Sequence, residues 1–270
     1  MEILTVLGYI AAAVIGISLG LIGGGGSILT VPVLVYLLGS DPVEATAYSL
    51  FIVGLSSLVG TGTYFKKGLV NVKTAVVFGI PSILAVYATR KFLVPSIPDV
   101  MFSMGDTPIT KDLGIMVLFA ALMIAASISM IRGRKTPKVE NEGEQKFNYP
   151  LIILEGVVVG TLTGLVGAGG GFLIIPALVV LSKLPMKEAV GTSLLIIATK
   201  SLIGFTGDIS NMDIDWIFLL IFSGIAVVGI FIGSALSNKV SGEKLKPAFG
   251  WFVLIMGVYI MIERAIDTFG

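Results

Sequence analysis

The sequence predicts an all-α polytopic membrane protein built from two inverted repeats of five membrane segments each. Three observations predict it: apolar runs of about 20 residues recur, a glycine-rich motif occurs twice, and equivalent loops of the two halves differ in charge. Of the 270 residues, 55% are hydrophobic and 13% are charged, whereas soluble domains carry about 25% charged residues. We therefore expect about 8–10 transmembrane helices.

Ten apolar segments can be drawn along the chain, and each is continuous rather than alternating with a period of two residues. Continuous runs favour helices, because a bilayer core admits helices or closed barrels and barrel strands alternate. The second segment of each half is short, about a dozen residues, and follows a glycine-rich break. The segments lie at roughly 3–19, 27–38, 43–64, 72–89, 113–131, 150–163, 172–182, 188–206, 216–237 and 247–262.

The two halves repeat at a constant offset of 144 residues. Residues 20–63 align with residues 164–207 without a gap, and 18 of the 44 positions are identical. Such self-similarity indicates that one structural unit occurs twice. Residues 1–132 therefore form the N-terminal membrane repeat, 133–149 a linker, and 150–270 the C-terminal inverted repeat.

Charge indicates how the repeats are oriented in the membrane. The loop at 66–73 carries three lysines, whereas its counterpart at 207–215 carries three aspartates and no Lys or Arg. Because Lys and Arg concentrate in cytoplasmic loops, the two loops are predicted on opposite sides. The full assignment puts both termini outside, the 133–149 linker in the cytoplasm, and 13 basic residues inside. The four predicted outside are Arg90, Lys91, Lys111 and Arg264.

Composition narrows the chemistry of the protein. The chain has no Cys and no His, which excludes disulfides, thiolate chemistry and imidazole metal ligands. No paired carboxylates lie deep in a predicted span, so we expect no enzyme activity, no cofactor and no metal site. The net charge of +1 indicates no nucleic-acid partner. The expected partners are a small anion and the lipid bilayer.

The glycine-rich breaks are the strongest candidates for a binding site. Glycine lets the chain adopt positive φ and lets a ligand approach the backbone N–H groups closely. The short segment after each break presents its N-terminus, with unpaired N–H groups and a positive partial charge, to the loop. We therefore expect two facing loops that bind an anion. The candidate residues are Gly23, Gly24, Gly25, Gly26, Ser27, Gly167, Gly169, Gly170 and Gly171.

Two other interpretations of these glycines are open. Small residues also allow close helix packing in membranes, which needs no ligand. The second loop with Glu188 also imitates a dinucleotide-binding fingerprint. In that motif a helix continues after the glycines, but here Pro176 lies where that helix should continue, and no soluble βαβ unit surrounds the loop.

Lys200 is the one basic residue within a predicted span, and an ionisable group there is a functional candidate by default. The alternative is that its side chain extends outward to the membrane surface near Gly207. Hydroxyl groups on the same elements could orient an anion, or could bond helices to one another instead. The candidates are Ser49, Ser56, Thr192 and Ser193.

The doubled Gly-x-Gly-Gly-Gly pattern followed by Pro-x-Leu, at 167–171 with 176–178 and at 23–27 with 32–34, resembles the TauE/SafE sulfite exporter family. The Glu-Ala-x-x-x-Ser-Leu sequence at 44–50 and 188–194 also fits. The first copy departs from the pattern because Ser27 replaces the last glycine. The resemblance implies a carrier of sulfite, sulfonates or related small anions in a prokaryotic plasma (inner) membrane.

We therefore predict a secondary transporter of small sulfur-containing oxyanions that works by alternating access, with export as the expected direction. Two alternatives are an anion channel with the same glycine-loop site and a non-transport membrane assembly factor. The exact anion, the coupling ion and the oligomeric state do not follow from the sequence.

Overall fold

Helices make up most of the chain in the computed structural model, which describes residues 2–104, 107–132, 149–180, 184–236 and 242–269. In the N-terminal half α1 is followed by an irregular short segment with 3₁₀ (Gly24–Leu29), α and π (Val33–Leu37) turns, and α4 continues through a π turn at Thr89–Leu93. The helices are α1 (Glu2–Ile22), α2 (Thr30–Pro32), α3 (Pro42–Lys66), α4 (Val72–Ala88), α5 (Val94–Ser96) and α6 (Lys111–Ile131).

The C-terminal half begins after the linker. Its predicted short segment is the regular helix α8, ten residues long. The predicted linker 133–149 lies outside the described residues except for Tyr149. The helices are α7 (Tyr149–Val166), α8 (Gly171–Val180), α9 (Met186–Thr206), α10 (Trp216–Leu236) and α11 (Gly242–Phe269).

Within the described residues, six helices are long and apolar enough to cross a membrane. They are Ile3–Ile22, Pro42–Lys66, Val72–Ser96, Lys111–Ile128, Met186–Thr206 and Trp216–Leu236. Two shorter apolar helices, Gly26–Leu37 and Pro150–Val166, correspond to predicted segments two and six. The molecule is a mostly helical multi-pass membrane protein, as the composition indicates.

The segment between α5 and α6, which lies outside the predicted membrane segments, is not helical. Strands β1 (Val100–Met104) and β2 (Thr107–Thr110) pair antiparallel there. Pro95, Pro98 and Pro108 disfavour a continuous helix in this stretch, since proline lacks the N–H that a helix needs. A two-stranded hairpin instead satisfies part of the backbone and joins two spans.

Helices α3 and α9 form the centre of the molecule. Of their apolar windows, 67% and 72% is buried, against 39–44% for the other candidate spans. The other helices therefore enclose the central pair, and α1, α4, α6 and α10 have more exposed surface, which can face lipid. Buried serines on α3 and α9 lie along this central pair.

Contacts between the halves occur in pairs that the 144-residue offset relates. The Asn71 N–H donates to Thr192 Oγ1 at 2.9 Å, and the Asp215 N–H donates to Tyr48 OH, also at 2.9 Å. Residue 71 corresponds to 215 and residue 48 to 192. Each half therefore offers one donor and one acceptor to the other at equivalent places.

The glycines within α1 and α7 serve close helix packing. A Cβ added to Gly16 of α1 would lie 2.0 Å from the Ala226 carbonyl oxygen of α10. At the equivalent place, a Cβ on Gly160 of α7 would lie 2.5 Å from the Ser82 carbonyl oxygen of α4. Since the neighbouring atom in each case belongs to the backbone, a side chain at either glycine would fit only if the two helices moved apart. The packing interpretation of small residues holds for these glycines.

We expect Gly16→Ala and Gly160→Ala each to lower the melting temperature of the purified protein. The added methyl group must push two helices apart, and overpacking of this kind typically costs about 1–3 kcal/mol or more. Gly224→Ala is the matched control, because Gly224 is a helical glycine of α10 whose added Cβ meets nothing within 4 Å. Equal melting temperatures for all three variants would contradict the packing role.

Candidate anion-binding site

The two glycine loops meet at the centre of the molecule. A Cβ on Gly24 would lie 1.9 Å from the Cα of Gly171, and a Cβ on Gly171 would lie 1.9 Å from the Cα of Gly24. The two backbones are therefore in direct contact, and neither position has room for a side chain. The structure brings the two halves of the predicted site together.

The two loops differ in conformation. The second loop has positive φ angles at Gly167 (68°), Gly169 (62°) and Gly170 (71°), which L side chains rarely adopt. In the first loop Gly23 has a φ of 75°. Gly25 and the residues around it then coil into the 3₁₀ helix Gly24–Leu29.

Packing and a side-chain bond close the first loop further. A Cβ on Gly26 would lie 2.2 Å from Ser18 Oγ of α1. Ser27 Oγ donates to the Gly24 carbonyl at 2.7 Å and so uses an acceptor within the loop. The serine that replaces the last glycine of the motif therefore stabilises a coiled first loop, whereas the second loop has three glycines at positive φ.

Lys200 lies against the second loop and is fully buried. Its Nζ donates to Thr163 Oγ1 at 3.0 Å and lies 2.6 Å from the place that a Cβ on Gly170 would take. Among the described residues, no carboxylate oxygen lies within 4.0 Å of this ammonium. The side chain does not extend to the membrane surface. One of its three N–H donors has a partner, and the site has a positive charge beside bare backbone.

The four candidate hydroxyl residues are all buried but have different roles. Ser49 Oγ donates to the Gly167 carbonyl at 2.7 Å and so fixes the second loop. Thr192 accepts the Asn71 N–H described above, and Ser193 donates to the Val190 carbonyl within its own helix at 2.8 Å. Ser56 Oγ has no hydrogen-bond partner in the part of the chain that the structure describes.

Two more buried hydroxyls on the central helices, Ser57 and Ser201, also lack partners among the described residues. Buried polar atoms are normally hydrogen-bonded, but unpaired buried hydroxyls also occur on α1, α4 and α10, so these three are not peculiar to the central helices. The position of Ser56 corresponds to that of Lys200 in the repeat. These hydroxyls are available to a polar ligand or to water between the two helices.

Arg90, which the sequence predicts on the outer side just beyond a membrane segment, is fully buried within the protein. Its Nε donates to Asp208 Oδ2 at 2.7 Å, and its Nη1 donates to Thr46 Oγ1 at 3.0 Å and to the Gly164 carbonyl at 3.1 Å. Burial raises the pKa of the Asp208 carboxyl, and the adjacent Arg90 guanidinium opposes that rise. In the sequence Arg90 and Asp208 sit just beyond apolar segments, where charges ordinarily face water.

The charge balance of the buried centre favours an anion. Arg90, Lys200 and Asp208 are the charged residues that are buried among those the structure describes. With all three side chains ionised, two cations and one carboxylate leave one excess positive charge in the buried interior. Because an isolated charge is expensive to bury, a singly charged anion would compensate the excess.

Elsewhere, a cavity of about 570 Å³ lies between the start of α3, the hairpin and the end of α11. Its charged lining is Asp41, Asp112, Arg264 and Asp267, which is net acidic and suits an anion poorly. No group of three or more Asp or Glu side chains that could hold a metal occurs in the described residues. The glycine loops and Lys200 are therefore the best-supported place for an anion.

Comparison with known proteins gives a consistent result. A probable membrane transporter protein of Xylella fastidiosa is 30% identical over 93% of this chain and 92% of its own length. A probable membrane transporter protein of Methanocaldococcus jannaschii and the Bacillus subtilis protein YunE are each 26% identical over 97% of this chain, and over 96% and 97% of their own lengths. No solved structure matches.

The family model described as "Sulfite exporter TauE/SafE" matches residues 8–260, which is nearly the whole chain. The glycine motifs, the central helices and the buried charges described above all lie within the matched range. The chain therefore belongs to the TauE/SafE sulfite exporter family.

Proposed function

We propose that this protein is a secondary transporter that exports a small sulfur-containing oxyanion, such as sulfite or a sulfonate, across a prokaryotic plasma membrane by alternating access. The family and the relatives are those of membrane transporters. The observation that carries the proposal is the buried Lys200 ammonium, which lies against the backbone of the second glycine loop without a carboxylate nearby among the described residues.

Physical reasons favour this substrate class. An unpaired ammonium within a membrane costs at least about 2.5–3.5 kcal/mol on insertion scales, and a bound anion would offset that cost. A small oxyanion has several acceptor oxygens, which match the free Lys200 donors, backbone N–H groups and the Ser56 hydroxyl. Export of one negative charge from a cell with a negative interior is favoured by about 2.3 kcal/mol per 100 mV.

The proposal includes an inverted repeat of five segments per half, with both termini external and residues 133–149 cytoplasmic. Two observations support it: the opposite charge of the 66–73 and 207–215 loops, and the reciprocal contacts between equivalent residues of the two halves. Reciprocal contacts of this kind are typical of units related by a two-fold axis. In transporters built this way, exchange of conformation between the halves opens the site to alternate sides.

The proposal is tested with purified protein in liposomes. We expect saturable sulfite transport, with counterflow when the vesicles are loaded with sulfite. A thermal-shift screen against sulfite, sulfate, thiosulfate and methanesulfonate ranks the anions that bind. Transport that rises linearly with concentration and shows no counterflow would indicate a channel instead, and no response to any of the four anions would refute the substrate class.

Replacement of Lys200 by Met should leave the fold intact and keep or raise the melting temperature. Methionine has a side chain of similar length and removes the buried charge. Sulfite affinity should fall by a factor of about ten or more, near 1.4 kcal/mol. Lys200→Arg should not restore affinity, because the planar guanidinium is bulkier and Gly170 leaves it no space. Isothermal titration gives the affinities. Wild-type affinity in the Met variant would remove Lys200 from the site.

A methyl group on Gly170 should have a similar effect on binding, because it would lie 2.6 Å from Lys200 Nζ and 2.2 Å from Thr163 Cγ2. Gly39→Ala is the matched control: Gly39 has nearly the same φ, 70°, but its added Cβ meets nothing within 4 Å. Both variants therefore carry similar backbone strain, and Gly170→Ala alone should weaken sulfite binding by about tenfold or more. Equal affinities would assign Gly170 a purely conformational role.

The orientation can be measured with single cysteines, which the chain lacks. Lys67 and Ser210 are exposed and lie in the two equivalent loops of opposite charge. We expect Ser210→Cys to react with a membrane-impermeant maleimide in intact cells, and Lys67→Cys to react after the cells are opened. Labelling of both from the same side would rule out the inverted arrangement.

A further inference from the structure

The Arg90 guanidinium is fully buried but not fully satisfied. Its Nε and Nη1 have the partners described above, whereas the buried Nη2 has none among the described residues. The ion pair with Asp208 uses Nε and a single carboxylate oxygen, so it is not the two-pronged arrangement that arginine and carboxylates often form. A buried cation therefore retains free capacity to bind an oxygen ligand.

Arg90 lies at the same loop as Lys200. The two cations bind adjacent residues at the end of α7: Lys200 the hydroxyl of Thr163, and Arg90 the carbonyl of Gly164. Thr46, which accepts from Arg90, also borders the loop, since a Cβ on Gly167 would lie 2.3 Å from its carbonyl oxygen. An anion at the second glycine loop therefore has two buried cations near it.

The other half of the repeat has no such ion pair at the equivalent positions. The positions equivalent to Arg90 and Asp208 are Ser234 and Tyr64, which are neutral. The carbonyl of Gly20, equivalent to that of Gly164, accepts instead from Tyr64 OH at 3.3 Å. One half thus satisfies the same backbone group with a phenol. A buried ion pair often contributes little net stability. An ion pair that occurs in only one half of the repeat therefore suggests a role other than stability.

Asp208 is placed so that it could leave Arg90 without disturbing a helix. It follows α9 in the turn at 207–215, where its N–H donates to the Phe205 carbonyl at 2.9 Å and its carbonyl accepts from the Asn211 N–H at 2.8 Å. These backbone bonds do not involve the carboxylate. Rotation of one side chain would free Nε of Arg90 beside the already free Nη2, and these two donors suit two oxygens of one anion.

We infer that Arg90 is a second anion-binding residue of the transport site, and that Asp208 is its resident counter-ion, which the transported oxyanion replaces. The inference rests on the proposed function and extends it from one cation to two. The anion would bind Nη2 and then Nε as the carboxylate departs, with Lys200 on the other side of the loop. Exchange of one anion for another keeps Arg90 paired throughout, which avoids a bare buried guanidinium.

A dependence on pH follows. Burial raises the pKa of Asp208, and Arg90 holds it down, so loss of Arg90 to the substrate favours protonation of Asp208. A protonated Asp208 no longer competes, and anion affinity therefore rises as pH falls through the pKa of Asp208. Arg90 is the charged group that faces Asp208 among the described residues. Lys91 is exposed and donates to Tyr87 OH, and Asp215 of the same turn accepts from the Phe218 N–H.

The test measures sulfite affinity and melting temperature for Asp208→Asn, for the double variant Arg90→Gln with Asp208→Asn, and for Lys91→Gln. We expect Asp208→Asn to bind sulfite about fivefold or more tightly, because the competing carboxylate is gone. The double variant should melt near the wild type, since two neutral amides can bond to each other, but should lose about tenfold or more in affinity. Lys91→Gln removes the neighbouring exposed charge and should change neither quantity.

The pH profile supplies a readout that a structural role would not move. The titration of sulfite itself is common to all variants, so the difference between the wild-type and Asp208→Asn profiles reports Asp208 alone. We expect the wild type to gain affinity relative to Asp208→Asn as pH falls. Should Asp208→Asn not fold, the same comparison is made between the wild type and the double variant.

Wild-type affinity in the double variant, or parallel pH profiles, would overturn the inference and leave the ion pair a structural bond. Failure of the proposed function would give a different result from failure of this inference. If the wild type binds sulfite and Lys200→Met loses it while the double variant keeps it, the second anion-binding residue alone is refuted. If the wild type does not bind sulfite, the proposed substrate is refuted and the inference with it.

Discussion

The central constraint of this structure is the buried ammonium group of Lys200, which lies beside the backbone of a glycine loop. Lys200 comes from α9, its hydroxyl partner Thr163 from α7, and the space for its Nζ from the absence of a side chain on Gly170. Three elements must therefore keep their relative positions. The dense burial of α3 and α9, and the glycine contacts of α1 with α10 and α4 with α7, supply that rigidity.

Glycine has two distinct roles in this chain, which the structure separates. Gly16 and Gly160 lie within helices and bring pairs of helices together by direct backbone contact. Gly167, Gly169 and Gly170 instead have positive φ and form a turn next to a cation. The helix-packing and ligand-binding interpretations of the glycines are therefore both useful, each for a different set. The first loop combines both features. Gly23 has positive φ, but the residues after it coil and pack against α1.

Much of the fold could be predicted from the sequence. Continuous apolar runs predict the helices, because a bilayer leaves the backbone few other ways to satisfy its hydrogen bonds. The 144-residue offset predicts which residues are equivalent, and the doubled motif predicts the family to which the chain belongs. The hairpin at 100–110 was missed because two short strands carry little periodic signal, and the prolines around them indicate a break but not what replaces the helix.

The sequence by itself determined that this is a membrane protein, that it is mostly helical, that it contains an internal repeat, and to which family it belongs. It also singled out the glycine loops and Lys200, because four consecutive glycines and a lysine in an apolar run contradict their surroundings. The tertiary structure alone decided that the first loop coils, which buried hydroxyls lack partners among the described residues, and that Arg90 and Asp208 are buried together. These pairings join residues 118 positions apart, and no local pattern encodes such contacts. A charge just past the end of an apolar segment looks the same in sequence whether it faces water or turns inward, and the packing of distant helices decides between the two.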